Sequence, residues 1–245
     1  MKLACSTWLE IERYLENSKG IIIPTGSTEQ HGPMGLIGTD AICAEEIADR
    51  SAEIVGACVA PTLAYTPAPF NMAFPGTISL SEPVFEAMVG EIVAGLISHG
   101  FECIYFLNGH GANIAPLERV VDEFEGAKFK IQSWWAYDEV NQLRQAYYGD
   151  WEGMHATPSE VAITQATHRV IAPGIASEPP EKLTPAFMKT HAGDRHGPPN
   201  EHCAQFPDGR VGSHSALARP EHGVSLLDAA SRGLAQDYSA EFLNI

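Results

Sequence analysis

The chain has 245 residues, 44% of them hydrophobic, which suits one sizeable domain or at most two small ones. Its 15 Lys and Arg stand against 31 Asp and Glu, and the formal charge of −16 repels nucleic-acid phosphates and anionic membrane surfaces. No stretch approaches the roughly eighteen apolar residues of a membrane span, and charges interrupt the N-terminal MKLACSTWLEIERYLEN too early for a signal peptide.

In chain order, the first helix begins at Ser6-Thr7 and sets Trp8, Ile11 and Tyr14 on one face. The run Gly20 to Pro24 is a short buried strand. A helix over Ala41 to Val55 follows, with Thr39 or Asp40 near its N-terminus, and then a second apolar strand from Gly56 to Pro61. A proline-rich loop, TPAPFNMAFPGTISLS, leads to Ser81, which caps a helix from Glu82 to His99 closed by Gly100. The third strand, Cys103 to Leu107, ends at Asn108-Gly109-His110. A helix over Ile114 to Glu125, a strand over Lys128 to Ser133, and helices over Pro158 to His168 and Glu221 to Phe242 complete the pattern. Trp134-Trp135 reads as core or subunit contact. Residues 172–220, rich in Pro, Gly and His, read as long ordered loops.

Strands alternate with helices four times. They are short and continuously apolar, the pattern of a parallel sheet covered on both faces. Cys5, Cys43, Cys58, Cys103 and Cys203 are widely spaced with no CxxC pair. They read as reduced thiols and favour a cytoplasmic location.

In an open parallel sheet, ligands sit beyond the carboxyl ends of the strands. The first strand runs into TGSTEQHG and the third into NGHGAN, both rich in glycine. These loops bring Glu29, His31, Asp40 and His110 to one edge if the strands are neighbours. Glu160, in HATPSE, falls in the first turn of a helix. Two imidazoles and three carboxylates suit a pair of divalent ions such as Zn²⁺, Mn²⁺ or Fe²⁺. Asp40 is the expected bridge, since a helix N-terminus can turn it back into the site. Such a pair would lower the pKa of a shared water from 15.7 to roughly 7. Each fragment alone has an ordinary reading: EQH as a polar turn, NGH as an Asn-Gly turn with an exposed His, Glu160 as a solvated helix residue. Spacing does not establish that they converge.

Five motifs carry a resemblance that spans nearly the whole chain: PTGSTEQHGPMGLIGTD (24–40), FPGTISL (74–80), FLNGHGAN (106–113), WEGMHATPSEVA (151–162) and GSHSALARPEHG (212–223). Through them the chain resembles the creatininase (creatinine amidohydrolase) family. The resemblance implies a single domain over 1–245 with a three-layer α/β/α fold and a mostly parallel central sheet. It implies two divalent ions per subunit, Zn or Mn with Fe possible, held by Glu29, His31, Asp40, His110 and Glu160. It also implies a homo-oligomer, a hexamer as in creatininase itself. Two further residues follow from it: His155 in proton transfer, and Trp151 on a loop that closes over a small-molecule substrate.

The departures concern the substrate and one metal position. Creatininase has an aromatic residue where this chain has Gly111, a candidate substrate contact here. It has a metal-ligating glutamate where this chain has Ala112, and a histidine where this chain has Ala73. Relatives act on other rings and amides, including formylated pyrimidines, a peptide and keto-inositols. The leading expectation is a metal-dependent hydrolase of a small cyclic amide or related C–N bond. The alternative is C–C cleavage of a keto-inositol ring at the same centre, and a third is a metal-dependent binding protein. His191, His196, His202, His214 and His222 fit no common metal motif and read as surface or subunit-contact residues.

Overall fold

The computed structural model describes residues 1–243. Its centre is a four-stranded, fully parallel sheet: β1 (Gly20–Thr25), β2 (Cys58–Val59), β3 (Cys103–Asn108) and β4 (Lys128–Ser133), in the order β2-β1-β3-β4. Side chains alternate across the pleat. Ile22, Tyr105 and Leu107 enter one apolar layer, and Ile21, Ile23, Ile104 and Phe106 enter the other. The first layer is covered by α2 (Thr39–Val55), α5 (Asp138–Tyr147), α6 (Pro158–Thr167) and α9 (Pro220–Tyr238). The opposite layer is covered by α1 (Trp8–Asn17), α3 (Glu82–Ser98) and α4 (Ile114–Val121). The architecture is therefore the expected α/β/α sandwich.

Several elements differ from expectation for local reasons. The strand expected over Gly56 to Pro61 shrinks to Cys58–Val59. Gly56, at φ 72°, closes α2 by donating its N–H to Ala52, and Pro61 has no N–H to donate. The helix expected to reach Glu125 stops at Val121, where the acidic Asp122 and Glu123 oppose the negative end of the helix dipole. Ser81 holds the N-cap position of α3, but its hydroxyl accepts no capping bond. Trp8 is 73% exposed instead of sharing a packed face with the half-buried Ile11 and Tyr14. Residues 172–220 contain two short helices, α7 (Pro185–Thr190) and α8 (Pro199–Gln205). Helix α5, with only Val140 fully buried, has too weak an apolar periodicity to be read from sequence.

The strand order creates a switch point between β1 and β3. The chain leaves β1 to build β2 on one side, and leaves β3 to build β4 on the other. The two strands are in register to their ends, Thr25 opposite Asn108. A crevice at their carboxyl ends follows from this topology.

Candidate metal centre

Both loops leaving this crevice turn back across it. After β1, Glu29 donates its N–H to the Ile37 carbonyl at 2.8 Å, and Gly35 donates to the His31 carbonyl at 3.0 Å. The loop then delivers Asp40 to the first turn of α2, where the dipole favours a carboxylate. After β3, the Asn108 amide braces the turn, donating to the His110 carbonyl at 2.8 Å and accepting from the His110 N–H at 3.2 Å. Gly109 is required here because a Cβ would lie 2.4 Å from the Asp40 carbonyl oxygen. Glu160 enters from α6 through a capping box: it accepts from the Thr157 N–H at 2.5 Å, and the Thr157 hydroxyl accepts from the Glu160 N–H at 3.3 Å.

The five side chains expected to converge do so, and all are buried. His31 Nδ1 lies 3.1 Å from the Glu29 carbonyl, which can only accept, so Nδ1 carries a proton. Its Nε2 faces Asp40 Oδ1 at 2.8 Å and Glu160 Oε1 at 3.8 Å. His110 repeats the arrangement with its nitrogens exchanged. Nε2 donates to the Pro67 carbonyl at 2.8 Å, and Nδ1 faces Glu29 Oε1 and Asp40 Oδ2, each at 3.1 Å. A backbone carbonyl that fixes one ring nitrogen and aims the other is the usual support for a metal-binding histidine. Glu29 Oε1 and Asp40 Oδ2 are buried with no hydrogen-bond partner, a costly state that a cation would relieve. Three donor triads result, Glu29/Asp40/His110, His31/Asp40/Glu160 and Glu29/His31/His155, each with its atoms within 4.8 Å of one another. Asp40 belongs to the first two. The residues fit a pair of divalent ions.

The protein's charges are poised in the same way. Burial alone would lower His31, but Asp40 and Glu160 beside it lift its pKa to about 10. His110 is likewise raised, against burial, chiefly by Glu29. Burial opposes ionisation of Asp40, yet the His31 charge and hydrogen bond, with the nearby charge of His110, hold it well below the usual carboxylate range. Burial lifts Glu160 to about 8 despite the pull of His31.

His155 joins the edge of this cluster. Its backbone pairs with Val211, and the next residue, Ala156, takes a left-handed φ of 56°. Such strain in a non-glycine residue is retained where its surroundings demand it. His155 Nε2 donates to the Gln30 carbonyl at 2.7 Å, which leaves Nδ1 as an acceptor 3.6 Å from Glu29 Oε1. Burial, then repulsion from His31, push its pKa down to about 3.

A cavity of about 210 Å³ opens onto the centre, walled in part by His110, His155, Glu160, Gly111, Trp134 and Trp135. Trp134, expected as core or subunit contact, is buried with an Nε1–H that finds no partner. Trp151 does not line this cavity. Its indole lies beside the His214 ring, with Lys182 Nζ 4.6 Å above it. Two cavity residues escaped the sequence reading. Arg144, paired with Glu152 at 2.8 Å, sits on the unread helix α5. Asp194 comes from the 172–220 region, where no motif marked it, and burial raises its pKa to about 6 against the pull of His110.

The surface reading of the late histidines is corrected at His196 and His202. Both pack on Phe70, with ring centroids 4.8 and 5.1 Å away, and Phe70 itself meets His155 edge-on at 5.9 Å. His202 is only 3% exposed. Isolated polar letters in a Pro- and Gly-rich tract carry no periodicity from which such burial could be read.

Comparison with known proteins accords with this geometry. The family profile described as creatininase, creatinine amidohydrolase, matches residues 4–238. The 3-dehydro-scyllo-inosose hydrolase of Thermotoga maritima is 34% identical over 43% of this chain and 34% of its own. The mycofactocin precursor peptide peptidase of Mycolicibacterium smegmatis is 36% identical over 41% of this chain and 43% of its own. These two matches thus span less than half of the relatives' length. The creatinine amidohydrolase of Pseudomonas putida is 24% identical over 96% of this chain and 95% of its own. Among solved structures, a creatininase in its Mn form superposes with a TM-score of 0.82 at 22% identity, covering 98% of each chain. A variant creatininase of Zn-Zn type superposes with a TM-score of 0.80 at 23% identity, with the same coverage.

Proposed function

The chain belongs to the creatininase family of metal-dependent hydrolases, and from that premise we propose that it opens a small cyclic amide at a dinuclear centre. The observation that carries this reading is Asp40, whose two oxygens each face a different imidazole, at 2.8 and 3.1 Å. Asp40 would be shared between the two ions, one held with Glu29 and His110 and the other with His31 and Glu160. Bound divalent ions would supply an acidified water and polarise a carbonyl oxygen.

The remaining work falls to the protein's own groups. His155 presents a neutral Nδ1 to the centre and takes the proton lost by the attacking water. It returns that proton to the leaving nitrogen as the C–N bond breaks. The Gln30 carbonyl keeps the ring in the required tautomer. A cavity of about 210 Å³ is at the small end for a ligand site and suits one ring better than an extended peptide. Trp134 and Trp135 stand at the wall of this cavity, where an aromatic ring could face such a substrate.

A second reading, C–C cleavage of a keto-inositol at the same centre, is favoured by the 34% identity shared with the inosose hydrolase. Metal analysis of wild type and Asp40→Ala, followed by assays on creatinine and on a keto-inosose, tests both. Two ions lost together in the variant support the bridging role, and an Asp40→Ala protein that keeps both ions and full activity refutes it. Turnover of the inosose with none on creatinine would favour the second reading.

A further inference from the structure

The two oxygens of Glu29 are in different states. Oε1 is buried without a hydrogen-bond partner, 3.1 Å from His110 Nδ1 and 3.6 Å from His155 Nδ1. Oε2 is occupied by Asn71, whose Nδ2 donates to it at 2.9 Å. Asn71 is fully buried in the turn Pro69–Asn71 of the proline-rich loop, and the reading above gives it no role.

The orientation of this amide is forced from end to end. The neighbouring His110 and His155 favour an ionised Glu29, which can only accept, so Asn71 turns Nδ2 to it and Oδ1 away. Oδ1 accepts from Gln30 Nε2 at 2.8 Å, and the same Nε2 donates to the Gly209 carbonyl at 3.0 Å. Gln30 Oε1 is thereby turned to the Gly32 N–H, from which it accepts at 2.7 Å. Flipping either amide would set donors against donors or acceptors against acceptors. Gln30 also holds His155, whose Nε2 donates to its backbone carbonyl at 2.7 Å. Asn71 Nδ2 packs 3.2 Å from that nitrogen, so one pair of amides abuts both Glu29 and His155. A carboxylate with one oxygen tied offers an ion only the other, at a fixed place.

We propose that Asn71 is a positioning residue for the metal centre: it makes Glu29 a one-oxygen donor, with Oε1 turned to the ion that Asp40 and His110 also hold. Gln30 fixes Asn71 in turn. The proposal rests on the dinuclear reading, and its test separates the two. Chelator-stripped wild type, Asn71→Ala, Asn71→Leu and Gln30→Met are titrated with Mn²⁺, following free ion by electron paramagnetic resonance, with circular dichroism and thermal unfolding to check the fold. Leucine keeps the size of asparagine and alanine does not, but neither can donate to Glu29. A positioning role predicts one site at wild-type affinity and one weakened at least about tenfold in both Asn71 variants. Gln30→Met, which leaves Asn71 in place but unanchored, should weaken one site by less. A merely structural Asn71 predicts a lower Tm with the two sites unchanged or weakened alike, and either result would overturn the proposal while leaving the dinuclear reading intact. If both Asn71 variants unfold, Gln30→Met decides, and two unchanged sites there overturn it. A wild type that binds no Mn²⁺ would overturn both readings.

Discussion

Loading metal into the stripped protein should expel protons, and the structure says how many. At pH 7 the metal-free centre carries His31, at about 10, and Glu160, at about 8, both protonated. His110 is also raised above its ordinary value. None of these groups can ligate until its proton leaves. Removing one proton costs about 1.4 kcal/mol for each unit by which the pKa exceeds the pH. At pH 7 that cost is larger for His31, whose pKa stands further above the pH, than for Glu160. Binding two ions should therefore release two to three protons, and apparent affinity should rise steeply between pH 6.5 and 8. His155, already neutral, adds nothing. Titration calorimetry at one pH, in buffers of different ionisation enthalpy, reads the number directly as the slope of heat against buffer enthalpy. A slope near zero, with affinity independent of pH, would refute the charge assignment and with it the role of His31 and Glu160 as ligands.

Three further outcomes follow from the same geometry. His155→Ala should keep its metal but lose about 10²–10⁴ in kcat, as for removal of a general acid–base, with KM little changed; loss of metal instead would make His155 a ligand. Gly109→Ala places a methyl 2.4 Å from the Asp40 carbonyl oxygen, and should cost about 1–3 kcal/mol of stability by thermal or urea unfolding and weaken metal retention. Stability of the metal-free protein should fall as pH rises from 6.5 to 8. In that window the folded state keeps protons on His31 and Glu160 that the unfolded chain has released, which costs about 1.4 kcal/mol per pH unit for each group. Metal-loaded protein, with those protons already gone, should show no such fall in Tm.

The residues legible in the sequence were those tied to regular backbone. Glu29, His31 and Asp40 sit between a buried strand and a helix start, and His110 directly follows a strand, so periodicity and turn chemistry located them. Glu160 was legible through HATPSE, whose Thr157–Glu160 capping box holds its carboxylate. Arg144 was missed because α5 buries only Val140 fully and leaves no apolar stripe. Asp194, His196 and His202 were missed for a different reason. Their positions depend on contacts with Ala112 and Phe70, far away in the chain, and no local spacing encodes these. The Trp pairs show the same limit. An aromatic residue advertises burial, but whether Trp134 or Trp151 faces the cavity depends on how α5 and the following turn pack.

The position of Asp194 also changes what Ala112 means. Read along the chain, Ala112 is a lost carboxylate, and one ion should be held less firmly. In the folded protein, the N–H of Ala112 receives the carboxylate of Asp194, and Gly111 leaves the space through which it arrives. A negative charge beside His110 Nδ1 is thus supplied by residues more than 80 positions apart, 112 and 194. The two sources are not equivalent. A carboxylate on the β3 loop would be held by the sheet, whereas Asp194 belongs to a loop between two short helices, and such segments open at lower free energy than core strands. The charge facing His110, and the stretch of cavity wall that Asp194 forms, therefore depend on the closure of this loop and not on the sheet.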